Sequence, residues 1–208
     1  MASSQLVALE QHLSDFDTGF IVRGKEFNQL IKDDHLKALA YVLLASAALE
    51  SYVEDRCLAI ATKGCDLIGK GMASSTGRSI LVWYISKKWA RPIPIHPNDP
   101  IENIDVVHEA LTAYKNMVKA THGMDGNDFR KLVYPLGLRS NQVPDSLIDF
   151  LDSLSQKRNP AAHTYRNRAK SLAMPEAESR LIDQILSSLR LVDAALDNVV
   201  DAYPVNHL

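Results

Sequence analysis

Apolar residues recur at three-to-four spacing along most of the chain, the period of a helix that buries one face. Leu6, Leu9, Leu13 and Phe16 predict a first helix over about Ser4 to Ile21. A second helix begins near Asp33 or Asp34, either of which can cap it, and Gly64 is positioned to end it. Its first half is apolar nearly all round (Leu36, Leu39, Leu43, Leu44, Ala47, Ala48), as a central buried helix requires. Further helices are predicted over Thr76 to Ala90, Ile101 to Thr121, Asp128 to Tyr134 and Ser146 to Lys157. A last one spans Pro175 to Tyr203 with Leu181, Ile185, Leu189, Val192, Leu196 and Val199 on one face. No alternating strand pattern of useful length occurs. The pattern predicts an all-α fold in one domain, 1–208, with 65–143 as an irregular, partly helical insertion.

Four prolines between Arg91 and Pro100 preclude helix there. With 46% hydrophobic and 23% charged residues over 208 positions, the chain has enough apolar surface for a real core, and rods and wholesale disorder are excluded. No run of about 18 uncharged apolar residues is apparent, so the sequence predicts no membrane span. The start of the chain lacks the basic head of a secretory leader, and Cys57 and Cys65 are too few for a disulfide framework, so the expected compartment is cytoplasmic.

The net charge of -2 hides an asymmetry. Residues 67–98 hold Lys70, Arg78, Lys87, Lys88 and Arg91 and no acid. Residues 155–175 hold Lys157, Arg158, Arg166, Arg168 and Lys170 and no acid. A basic stretch that includes Tyr165 suits a phosphate backbone, and it equally suits an ordinary solvated face. The phosphate-loop look of Gly64 to Gly71 fails on chemistry, because Gly71 stands where the motif needs Ser or Thr after Lys70. The histidines show no metal-ligand spacing with Cys, Asp or Glu, so no metal and no cofactor are expected. Cys57, inside an apolar helix, reads as a small core residue.

The segment Lys157-Arg158-Asn159-Pro160-Ala161-Ala162-His163-Thr164-Tyr165 differs in kind. Asn159 is a favoured cap and Pro160 a favoured first helical residue, so a new helix is expected to start there, with its free N–H groups offering an anion site. Arg158 matches phosphate oxygens in a planar fork, and His163 can move a proton near neutral pH. An arginine and an imidazole beside a phosphate suffice for RNA cleavage, because the 2′-OH nucleophile belongs to the substrate. The same residues can also be a plain helix start and a packed interface histidine.

Arg158-Asn159 followed by His163 and Tyr165 resembles the Arg-x4-His-x-Tyr signature of the HEPN superfamily (higher eukaryotes and prokaryotes nucleotide-binding), in its ribonuclease and toxin branches. The apolar helix ending in Glu50-Ser51-Tyr52 is similar to the HEPN helix that carries a polar or acidic residue toward the site. The resemblance covers about 34–64 and 144–203 and leaves 65–143 unmatched. It implies a HEPN-like helical bundle with a long insertion between the second helix and the motif-bearing helices.

It implies an endoribonuclease, working without metal, that leaves 2′,3′-cyclic phosphate and 5′-hydroxyl ends in a toxin or phage-defence role. Arg158 and His163 would be catalytic, with Asn159, Tyr165 and Glu50 in support and Lys157, Arg166, Arg168 and Lys170 on the RNA. It further implies a homodimer and a possible antitoxin such as a nucleotidyltransferase that modifies Tyr165, with no membrane partner. The alternative within the same resemblance is a non-catalytic module that binds RNA, nucleotide or a partner protein.

Overall fold

A computed structural model describes residues 2–89, 103–163, 174–199 and 202–204. Among these the chain is 84% helix in seven helices, and the all-α expectation holds. The helices are α1 (Ser4–Phe20), α2 (Lys32–Gly69), α3 (Ser75–Trp89), α4 (Asn103–Ala120), α5 (Gly126–Val133), α6 (Asp145–His163) and α7 (Pro175–Asn198). Two three-residue strands, β1 (Met72–Ser74) and β2 (Ala202–Pro204), pair antiparallel with Ala73 opposite Tyr203. Strands this short leave no alternation to read in a sequence.

α2 is the axis of the fold. Its 38 residues span about 57 Å, and α1, α3, α4, α6 and α7 all pack on it. Ala38, Tyr41, Val42, Ala45, Leu49, Val53, Cys57 and Ile60 are buried along it. Burial is not all-round in its first half, however, since Leu44 is 38% exposed. By length and composition α2 also contains a window apolar enough to cross a membrane, which the sequence reading missed. Half of that window is buried against the other helices, as befits a core helix.

Start and end of α2 both differ from expectation. The helix begins at Lys32, and Asp34 caps it from within by accepting the Ile31 N–H at 3.0 Å. Gly64 does not stop it; the helix continues to Gly69. A Cβ on Gly64 would lie 2.8 Å from Thr76 Cβ, and one on Gly77 would lie 2.5 Å from the Gly64 carbonyl oxygen. The two glycines therefore let α2 and α3 cross backbone to backbone. The Thr76 hydroxyl donates to the Val199 carbonyl at 2.9 Å and ties this crossing to α7.

The described residues 65–89 and 103–143 are largely helical. They supply α3, α4 and α5, and Ile80, Tyr114, Phe129, Leu132 and Leu136 join the same core as α1, α2, α6 and α7. The Tyr114 hydroxyl, fully buried, donates to the Leu132 carbonyl at 2.7 Å. Burial also pushes the Cys57 thiol up to about 12, in keeping with an inert core residue.

One buried polar network pins the start of the chain to α2 and α7. The Asp193 carboxylate, 1% exposed as a residue, accepts from the Ser3 N–H and hydroxyl, the Tyr52 hydroxyl and Arg56 Nε, each at 2.8 Å. Burial alone would raise this carboxyl; the bonds from Ser3 and Tyr52 and the Arg56 charge outweigh it and hold it below its ordinary 3.8. Asp193→Ala removes the shared acceptor of Ser3, Tyr52 and Arg56, leaves Arg56 only its half-exposed partner Asp197, and should cost about 2–4 kcal/mol in urea unfolding. Because the folded value is depressed, this stabilisation is present above pH 3.8 and lost as pH falls through the lower folded value, so the gap between wild type and Asp193→Asn should close on acidification. Gly77→Ala should cost about 1–3 kcal/mol in the same assay, by forcing α3 off α2.

Candidate functional site

The expected helix start at Asn159 is not there. α6 runs unbroken from Asp145 through Asn159 and Pro160 to His163, so the motif occupies its C-terminal turns. Pro160 gives up the one bond to the Gln156 carbonyl that its ring cannot make, three residues before the helix ends. The cost is met by packing: Leu147, Ile148, Leu151 and Leu154 bury the helix upstream, and ion pairs hold Lys157 and Arg158 to neighbouring helices. The anion site expected from free N–H groups is withdrawn with the helix start, and positive charge at this end comes from side chains alone.

Arg158 and Glu50, 108 positions apart in sequence, meet. Arg158 Nη1 lies 3.2 Å from Glu50 Oε2, with the two side chains 32% and 18% exposed. Glu50 Oε1 also accepts the Gly123 N–H at 2.7 Å. Gly123 has φ +101°, a conformation that favours glycine, and a Cβ there would lie 3.4 Å from Arg158 Nη1. The turn between α4 and α5 thus closes directly over the pair. One turn along α2, Glu54 has its carboxyl raised, first by burial and then by the neighbouring Glu50 and Asp55 charges, with His122 pulling the other way.

His122 is the residue that sequence reasoning passed over. It is exposed, directly precedes Gly123, and lies near enough to Glu54 to act on its charge. Its only sequence signal is a position in the polar break after α4, and nothing local links that break to Glu50. Arg158, Glu50 and the Gly123 turn form a partly open polar site, with Glu54 one turn along α2 and the exposed His122 next to Gly123 in the chain. Such a set can bind an anion and exchange a proton with it. Among the described residues no group of three or more His, Cys, Asp or Glu is arranged to hold a metal ion.

Lys157, expected on RNA, is turned the other way. Its ammonium donates to both oxygens of the fully buried Glu178 carboxylate on α7, at 2.6 and 2.7 Å, and is spent on the core. The side chains of Asn159 and His163 lie outside the described residues, as do Tyr165, Arg166, Arg168 and Lys170 altogether. Backbone position still constrains His163. Five residues turn a regular helix through about 500°, so its Cα sits about 140° around the axis from that of Arg158 and about 7.5 Å further along.

Compared with known proteins, the chain matches no family model, no curated protein and no solved structure.

Glu50 holds both Arg158 and the Gly123 turn, whereas Arg158 holds Glu50 alone. Glu50→Ala should therefore lower stability by about 1–2 kcal/mol in urea unfolding, and Arg158→Ala by less than half of that. Equal losses would mean that the Gly123 bond contributes nothing.

Proposed function

We propose that the protein is an endoribonuclease of the HEPN type that works without a metal ion. The observation that carries the reading is the Arg158–Glu50 pair, which joins the arginine of the Arg-x4-His signature to the acidic helix position found in the same family resemblance. Arg158 stabilises the charge that builds on phosphorus, and Glu50 holds its guanidinium in one orientation. His163 takes the proton of the 2′-OH or returns one to the leaving 5′ oxygen. The reaction forms the bond from the 2′ oxygen to phosphorus and breaks that from phosphorus to the 5′ oxygen, giving 2′,3′-cyclic phosphate and 5′-hydroxyl ends.

The angular offset of about 140° between the two motif positions supports a dimer. A second copy facing the first brings two histidines and two arginines to one cleft, so that one imidazole acts as base and the other as acid. A cytoplasmic toxin or defence role, held in check by a partner such as a nucleotidyltransferase, follows from the same resemblance.

A second reading has an observation in its favour. In the single chain the guanidinium is already engaged by a carboxylate, which suits a module that holds RNA or nucleotide without turnover. The two readings part in one experiment. Wild-type protein incubated with single-stranded RNA in EDTA should yield fragments ending in cyclic phosphate. His163→Ala should lower the rate by about 10²-fold or more, and Arg158→Ala comparably. RNA retained but uncut, by protein that sediments as a folded species, would replace the nuclease with the binding module.

A further inference from the structure

A second concave surface lies on the other side of the Arg158 site, and none of its residues belongs to the signature. It is a groove of about 850 Å³ between α3 and α5, continued by the short 3-10 turn Tyr134–Leu136. α3 supplies Arg78, Val82, Trp83 and Lys87; α5 and the turn supply Arg130, Lys131 and Tyr134. No acid lines it. Val82 is 67% exposed and Tyr134 37%, so apolar and aromatic surface is open to solvent between the cations.

The four cations are not equivalent. Lys131 donates to Asp128 at 2.7 Å, and Lys87 sits over the Trp83 ring, 4.6 Å from its centroid. Arg78 and Arg130 form no ion pair among the described residues. Two uncommitted guanidiniums flanking an exposed tyrosine ring are what a single strand of nucleic acid needs: forks for phosphate oxygens and a π-face for a base. The groove between α2 and α4 is less suited, since its lysines share it with Asp66 and no aromatic ring lines it.

The α3–α5 groove also adjoins the candidate site. Asp128 links the two without lining the groove: one of its oxygens bonds the groove residue Lys131, and the other lies 3.9 Å from where a Cβ on Gly123 would stand, a position 3.4 Å from Arg158 Nη1. We infer that this groove is where a single-stranded RNA lies next to the Arg158–Glu50 site, with Arg78 and Arg130 on phosphates and Tyr134 under a base. The inference rests on the ribonuclease reading for the identity of the strand. An acidic polypeptide is the competing occupant.

The test uses full-length His163→Ala protein, a fluorescein-labelled 12-nucleotide single-stranded RNA and anisotropy in EDTA. Arg78→Ala with Arg130→Ala should weaken binding at least tenfold and reduce the slope of log K against log salt by about 1.4, the contribution of two single-strand phosphate contacts. Tyr134→Ala should weaken binding about fivefold or more. Neither arginine is ion-paired, so circular dichroism and melting should stay at the His163→Ala values. Affinity within twofold of the parent at an unchanged salt slope would overturn the groove, as would polyglutamate competing as well as RNA of equal charge. If wild type cleaves RNA while the groove variants bind normally, the groove alone falls. If the variants lose binding in a protein that never cleaves, the groove stands and the nuclease falls.

Discussion

Everything in this fold depends on covering one helix. α2 holds a long apolar window, half of it buried against the other helices, and such an element has to be wrapped. α1, α3, α4, α6 and α7 each bury a stripe against it, so residues far apart in sequence are brought to common heights along its axis. Glu50 and Arg158 meet for this reason. α6 is laid on α2 by Leu147, Leu151 and Leu154, and the polar edge of that contact is where Arg158 finds Glu50.

The same helix carries two polar assemblies on different sides. Tyr52 and Arg56 face the buried Asp193 on α7, while Glu50 and Glu54 face the turn that holds His122 and Gly123. Residues two apart on a helix diverge by about 200°, which keeps the two apart. The first assembly is sealed and fully bonded, and it fixes how α7 and the chain start sit on α2. The second is partly open and retains an exposed imidazole. A rigid internal anchor on one side and an accessible charge pair on the other is a sound way to hold a guanidinium still at a site exposed to solvent.

Legibility in the sequence followed the strength of the period. α1 and the body of α7 were plain because their buried leucines and isoleucines repeat without interruption, although α7 stops at Asn198 and Ala202 and Tyr203, expected as its last turn, pair with β1; α3 and α4 were readable to within two residues at each described end. Breakers were the misleading signals. Gly64 looked like a helix stop and is a contact point for Gly77, a role visible only once α3 is laid across it. Asn159-Pro160 looked like a helix start, yet α6 passes through, because upstream packing and two ion pairs outweigh one lost backbone bond. Of the site, Arg158 was singled out by its guanidinium beside Asn159-Pro160 and Glu50 by the resemblance; no local rule connects them. Lys157 and Arg158 are adjacent, both basic and equally exposed, but one pairs with the fully buried Glu178 and the other with the partly open Glu50, a difference set by which helix each faces.

That difference bears on how charge in this chain is to be read. The described cations of the acid-free stretches go to different places. Lys157 pairs with the buried Glu178. From 67–98, Lys70 joins the groove between α2 and α4, while Arg78 and Lys87 join the one between α3 and α5. What counts for an anionic strand is cations without a carboxylate partner beside an exposed aromatic face on one concave surface, because a cation already paired releases little on binding and the ring gives a base somewhere to stack. By that measure Arg78 and Arg130, brought together by α3 and α5, matter more than Lys157 beside the signature itself. On the proposed ribonuclease reading, recognition of the strand would fall to the groove between α3 and α5, and the chemistry to the helix that carries Arg158.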